Sequence, residues 1–480
     1  MSSVVASVLR WAAVVSTSPS WPVPTSSPTD LPASRVAAAS AVLAAPDRRW
    51  NLLLACLVVY LMTAVGRVHQ VFALLEPLHL ALVSGALATA YCLLSRGIAR
   101  RLSTALRFPT TRFVLALAFW MGLSIPGALW PGGAFHLFTD QFLKSVVALV
   151  VLVAAVRGIQ DVERLAFAYF LSASIYAAVV LTRFNVGGDE WRLGSLYYYD
   201  ANEFATLAVM CLPLGVYFMV RPRPLWRRLV SVPAVAALAV GFIWTGSRGG
   251  FLALLAVGAF LLLRYTAIHA RWRILTTALL ALVFAAAATD RYWKEMKTVL
   301  QPKDDYNLTD EQGRVKVWKR GLGYMLQRPV LGVGADNFPT AEGSLSPLRE
   351  SASLGRGVKW SVAHNSYLQV GAELGVPGLV FFLAMLGTAV GAMRAVRRSR
   401  LPRPLGERSP PAAQLAQALT AALIAYMVGG FFLSLAYHEL LYTLIALIVA
   451  LRKVTPIVVT RPAPRSGWTA PPYGSLPRRV

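Results

Sequence analysis

The stretch HNSYLQVGAELGVPG, His364 to Gly378, sets a histidine, an asparagine and a serine at the mouth of an apolar segment and follows them with glycines at 371, 375 and 378. An imidazole changes charge near neutral pH, so His364 is suited to take a proton from a hydroxyl. Asn365 has the side chain of a helix N-cap. Gly371 and Gly375 have the GxxxG spacing that lets helices approach closely, and Gly375-Val-Pro377-Gly378 should bend the helix that carries them. Packing accounts for the glycines but not for the histidine. His364 is therefore either a structural residue at a membrane boundary or a proton acceptor.

Three arginines raise a second kind of chemistry, anion binding. Arg248 lies in TGSRGG, a turn between two apolar runs. Its guanidinium either snorkels toward headgroups or joins Thr245, Ser247 and the backbone N–H groups of two glycines in a phosphate site at the start of the next helix. Arg314 shares an amphipathic stretch with Lys316, Lys319 and Arg320, which reads either as a solvated or lipid-contacting face or as part of the same site. Arg192 lies in EWRLGSLYYYDANEFATL, where Asp189 or Glu190 can pair with it, and Asn202 falls where the next apolar span begins.

The elements that must position these residues are membrane helices. The 480 residues are 56% hydrophobic and only 14% charged, with a mean hydropathy of +0.55, whereas soluble domains are about 25% charged. Runs near 20 residues with almost no charge match a hydrocarbon core roughly 30 Å thick. About twelve transmembrane helices are expected, near 51–66, 71–94, 113–130, 142–156, 165–182, 203–220, 229–245, 250–264, 273–289, 367–393, 413–435 and 438–452. The fold class is an all-α polytopic membrane protein.

A net charge of +25 would suggest nucleic acid in a soluble chain, but the arginines lie mainly in short loops between apolar spans, so membrane lipids are the expected partner and nucleic acid is not. The loop 95–112 holds five arginines, 221–228 four and 394–408 six, while 130–141 and 436–439 hold no lysine or arginine. The alternation puts both termini in the cytoplasm. It divides the chain into a disordered tail at 1–49, nine spans at 50–289, a long outward loop at 290–366 with a helix near 312–328, three spans at 367–455 and a second disordered tail at 456–480. Cys56, Cys92 and Cys211 lie inside apolar spans, and the six histidines show no metal-ligand spacing, so no metal site is expected.

Together these segments resemble the O-antigen ligase and O-antigen polymerase superfamily of bacterial inner-membrane glycosyltransferases. His364-Asn365, the nine residues SYLQVGAEL and Gly375-Val-Pro-Gly378 match the family's histidine motif without interruption. TGSRGGFLALL at 245–255 is similar to its SRG segment, GRVKVWKRGLGYMLQRPVLGVGADNF at 313–338 to its Arg–Trp…GxGxxNF stretch, and RLGSLYYYDANEFATL at 192–207 to its upstream element. The resemblance covers about 185–390 by motif.

It implies a C-type glycosyltransferase fold working at the periplasmic face of the inner membrane. The implied donor is a glycan on undecaprenyl pyrophosphate, and the implied acceptor is a sugar hydroxyl on lipid A–core or on a growing glycan. The chemistry would be inverting, with no metal, nucleotide sugar or other cofactor. Arg248 and Arg314 would stabilise the departing pyrophosphate, with Arg192, Ser247, Asn202 and Asn365 binding substrate, and His364 would orient or deprotonate the acceptor. A flippase and a chain-length regulator are the implied protein partners. The rival expectation is a transporter using Glu76, His79 and Glu373, since ionisable groups inside spans are candidate proton relays. A non-catalytic scaffold is a weaker one.

Overall fold

The computed structural model describes residues 50–183, 192–193, 196, 198–221, 224–297, 310, 313–347, 349, 360–399 and 409–455. The two tails expected at 1–49 and 456–480, and the pairing of Arg192 with Asp189 or Glu190, lie outside the described residues. Within them every regular element is a helix, as a lipid environment requires of a chain that is not a closed barrel.

The principal helices are α1 (Leu52–Ala64), α2 (Leu80–Leu94), α3 (Ile98–Leu106), α4 (Pro109–Ser124), α5 (Leu143–Ala155), α6 (Ile159–Arg183), α7 (Ala201–Val220), α8 (Leu225–Thr245), α9 (Arg248–Arg264) and α10 (Ala270–Ala287). After them come α11 (Asp290–Lys297), α12 (Arg314–Gln327), α13 (Phe338–Ser344), α14 (Ser366–Arg398), α15 (Pro411–Gly429) and α16 (Glu439–Val454). All twelve expected apolar segments fall on helices. Among the described residues seven helical spans are long and apolar enough to cross a membrane, or eight if a bent pair is counted as one, and the chain is an integral membrane protein. Others are short: α1 has 13 residues and α16 has 16, only about 20–24 Å of rise.

Two expectations change. The arginine-rich loop at 95–112 contains the helix α3, and the bend between it and the helix that follows is 87°. Its arginines leave one side of a helix polar, so it does not continue the span. The span expected at 413–435 ends at Gly429, and residues 430–438 run as turns.

Burial separates central from peripheral helices. The apolar window of α15 is 83% buried and that of α7 72%, against 17% for Leu74–Leu94. Leu82, Leu87, Phe119 and Leu282 stay exposed, as lipid-facing side chains do. Small polar residues in the spans close onto their own helix: Ser84, Ser174, Thr388 and Thr420 each donate to the carbonyl four residues earlier, which spares the hydroxyl an unpaired site in apolar surroundings. The antiparallel run of α7 and α8 fixes the two ends of the bundle. Asn202 and the turn from Thr245 to Arg248 share one end, while Arg221 and Arg227 share the other.

Candidate active site

The end bearing His364 is organised by the break in α14. Gly375 adopts φ 69° and ψ −172°, and Pro377 has no N–H, so the helical hydrogen bonds across this turn cannot form. Each group released finds another partner. The carbonyls of Ala372 and Glu373 accept from Val333 and Gly334 N–H at 2.9 Å, and the Leu374 carbonyl accepts from Trp120 Nε1 at 3.0 Å. The Val376 N–H donates to the Pro329 carbonyl at 2.8 Å. The segment PVLGVGADNF, 329–338, therefore fills the break that GAELGVPG creates, and the two motifs are one structural unit. A β-carbon on Gly375 would lie 2.4 Å from the Val330 carbonyl oxygen, so nothing larger fits there.

That unit also holds Glu342 and one oxygen of Glu373. The Glu373 carboxylate accepts from the Phe338 N–H at 3.2 Å, at the start of α13. Glu342 on α13 holds Arg320 in a two-pronged pair, with contacts at 2.6 and 2.8 Å, and accepts from the Tyr324 hydroxyl at 2.7 Å. This pair raises the Arg320 pKa, the hydrogen bond to Glu342 being the largest cause. Burial, then Glu342, drives the Tyr324 hydroxyl well above its ordinary range. Glu76 and His79 stay exposed where a 3₁₀ turn meets α2. Glu373, by contrast, is buried in the middle of α14.

Asn365 caps α14 as its sequence position foretold, its side chain accepting from Tyr367 and Leu368 N–H at 3.0 Å. His364 precedes it with φ 46°, a left-handed conformation unusual outside glycine. Backbone contacts hold it there. The His364 N–H donates to Ser434 Oγ at 2.9 Å, the Ser366 N–H to the Gly430 carbonyl at 2.7 Å and Ser366 Oγ to the Leu433 carbonyl at 2.7 Å. Trp318 of α12 donates from Nε1 to the Ala363 carbonyl at 3.0 Å. Such strain persists where surrounding contacts over-determine it, and it concentrates at functional sites.

Beside this anchored turn lies a cleft lined by Asn202, Ser247, Gly249, Gly250, Arg314, Gly429, Phe432 and Leu433. Ser247 is the N-cap of α9, its Oγ accepting from Gly250 N–H at 3.1 Å. The positive end of that 17-residue helix thus forms one wall, with its first-turn N–H groups at the cleft. The β-carbon of Phe432 would be 3.0 Å from one on Gly249, so only glycine lets the wall close this tightly. Asn202 sits in the first turn of α7, where Asp200 and Glu203 form a capping box. Arg314 projects from the first residue of α12. An arginine, a helix N-terminus and hydroxyl and amide groups are the chemistry that can hold an anion, and the His364 N–H is tied to Ser434, the residue after the lining residue Leu433.

Of the residues singled out by sequence, Asn202, Ser247 and Arg314 share the cleft, while His364 and Asn365 do not line it and belong to a turn hydrogen-bonded to the segment 430–434. Arg248 does not line it: its Nε lies 3.4 Å from Glu295 Oε1 on α11. Arg192 is half-buried, and its neighbour Leu193 donates to the Trp244 carbonyl at 3.0 Å, which brings the segment to the end of α8. Sequence reasoning missed the segment Gly429–Ser434, whose only signal was the glycine pair at 429–430 inside an apolar run. It also missed a cluster at the same end, where Arg67 pairs with Glu439 and stacks on Tyr198 with 3.4 Å to the ring centroid.

Residues 233–383 match the family model described as O-antigen ligase. The match runs from α8 to the middle of α14 and so includes Ser247, Arg248, Arg314, His364 and Asn365. Asn202 and the segment 429–433, which complete the cleft, lie outside it. No protein of curated function matches the chain.

Proposed function

We propose that this chain, whose residues 233–383 belong to the O-antigen ligase and polymerase superfamily, transfers a glycan from undecaprenyl pyrophosphate to a sugar hydroxyl at the periplasmic face of a bacterial inner membrane. The family match carries glycan transfer of the ligase or polymerase type. The finer reading rests on one observation: the cleft joins a guanidinium and a helix N-terminus from two distant segments, and its lining residue Leu433 adjoins Ser434, which accepts from the N–H of His364 in a strained turn.

The chemistry follows from those parts. Arg314 and the N–H groups at the start of α9 receive the pyrophosphate, and Ser247 and Asn202 add hydroxyl and amide contacts. As the bond from the anomeric carbon to the pyrophosphate oxygen breaks, negative charge grows on that oxygen. Preorganised donors stabilise this charge more strongly than the ground state. Each charge-assisted hydrogen bond contributes about 1.5–3 kcal/mol. His364 takes the proton of the acceptor hydroxyl, whose oxygen attacks from the opposite face with inversion. Arg248 lies at the turn that forms the wall, and its contact with Glu295 holds α11 over that turn until an incoming phosphate competes for the guanidinium.

The periplasmic assignment rests on charge: arginine-rich 95–112 and 221–228 close the opposite end of the bundle from the cleft. The test is the length of glycans on undecaprenyl pyrophosphate in cells lacking the protein, restored with wild type or His364→Ala. Accumulated single repeat units identify a polymerase, and accumulated long polymer identifies a ligase. Unchanged lipid-linked glycans, or full restoration by His364→Ala, would overturn the reading.

A further inference from the structure

A second cleft lies at the opposite end of the bundle, the length of α7 away from the first. Its lining residues are Glu163 on α6, Phe218 and Arg221 at the end of α7, and Pro224 and Arg227 at the start of α8. The 20 residues of α7 separate it from Asn202 by about 30 Å, so it takes no part in the chemistry proposed above.

The two arginines are held differently. Arg221 reaches Glu163 at 3.7 Å, and Glu163 in turn accepts from the buried Tyr217 hydroxyl. Arg227 lies over aromatic rings, 5.3 Å from the centroid of Phe167, 5.5 Å from Trp226 and 6.0 Å from Phe218. Its Nε is buried and has no hydrogen-bond partner. A buried guanidinium N–H without an acceptor is costly, and the aromatic faces around it accept charge but fill no donor. The neighbouring Arg164 does not compete, because it pairs with Asp161 at 3.1 Å. Among the described residues, two guanidiniums and one carboxylate line the cleft, which leaves one net positive charge. The adjoining surface is apolar and open: Leu225, Trp226 and Leu229 are each more than half exposed.

We propose that this cleft binds the phosphodiester of a phospholipid headgroup. The non-bridging oxygens accept from Arg227 and Arg221, and the acyl chains lie along Leu225, Trp226 and Leu229. One net positive charge matches one phosphodiester monoanion and disfavours a phosphate dianion. The best ligand is therefore a phospholipid without a compensating ammonium, such as phosphatidylglycerol. Glu163 sets that count and orients Arg221.

The full-length protein, purified in detergent and stripped of lipid, tests this by native mass spectrometry and thermal melting with added phosphatidylglycerol, phosphatidylcholine, phosphatidic acid or inorganic phosphate. Wild type is expected to retain one phosphatidylglycerol and to melt higher with it. Arg227→Gln should weaken retention at least fivefold, whereas Arg227→Lys keeps part of it. Glu163→Gln should move the preference toward phosphatidic acid. Equal retention of every lipid by wild type and Arg227→Gln would make these arginines an ordinary interfacial belt and overturn the site. Competition by millimolar inorganic phosphate would assign the cleft to a free ion instead of a lipid. None of these readouts depends on glycan transfer.

Discussion

The kink of α14 and the cleft beside it are built from the same materials, glycine turns, helix ends, arginine and acidic residues, at the same end of the molecule. At the kink, the carbonyls of Ala372, Glu373 and Leu374 and the N–H of Val376 all find new partners, and Glu342 closes on Arg320 and Tyr324. At the cleft, the start of α9, the turn after α15 and the first residue of α12 line one concavity. The difference shows how one vocabulary of residues makes both a scaffold and a site. Where polar groups are mutually satisfied they fix geometry. Where they converge on a gap they are prepared for a ligand, and the first arrangement holds the second in register.

The largest expected effect breaks the cleft without touching the kink. His364→Ala should lower transfer about 10²–10⁴-fold with an unchanged melting temperature. His364→Asn should be equally inactive, since asparagine tolerates the left-handed backbone; an active asparagine variant would mean that only the turn matters. The reverse experiment breaks the kink. Glu342→Ala leaves Arg320 buried without its carboxylate and should destabilise the protein by about 3–5 kcal/mol, seen in thermal melts. Transfer per folded molecule should persist, and a variant of normal stability would refute the scaffold role.

Arg314→Ala should lower transfer about 10²–10³-fold, and Arg314→Lys should recover only part of it because an ammonium cannot reproduce the guanidinium fork. Equal rates for wild type and Arg314→Ala would remove the anion site. The smallest effect concerns Arg248. Its contact with Glu295 is partly exposed, with the side chains 17% and 29% exposed. Glu295→Gln should therefore change stability by less than about 1 kcal/mol. A loss comparable to that of Glu342→Ala would show that this pair belongs to the scaffold.

Much of this was legible in sequence for identifiable reasons. Asn365 could be placed because capping is a local interaction, set by residues two or three positions away. The bend at Gly375-Val-Pro377 could be expected because proline has no N–H and glycine alone tolerates the required backbone. The end of α15 could not, because Phe431, Phe432 and Leu433 extend the apolar run past the last helical turn and hydropathy does not register where hydrogen bonding stops. The partner of Arg248 was also hidden, since Glu295 lies on a separate helix 47 positions along.

By itself, the sequence determined the membrane class, the helical segments, the cap at Asn365 and the resemblance over about 185–390, part of which the family model matches, all of which follow from local composition, periodicity and motif. Tertiary structure alone decided that 329–338 seals the break in α14 and that the segment after α15 both anchors the His364 turn and lines a cleft with Asn202, Ser247 and Arg314. It also decided that Arg248 turns to Glu295 instead of into that cleft. Such contacts join residues tens to hundreds of positions apart, and their choice depends on the shapes of packed helices, which no local pattern in the chain encodes.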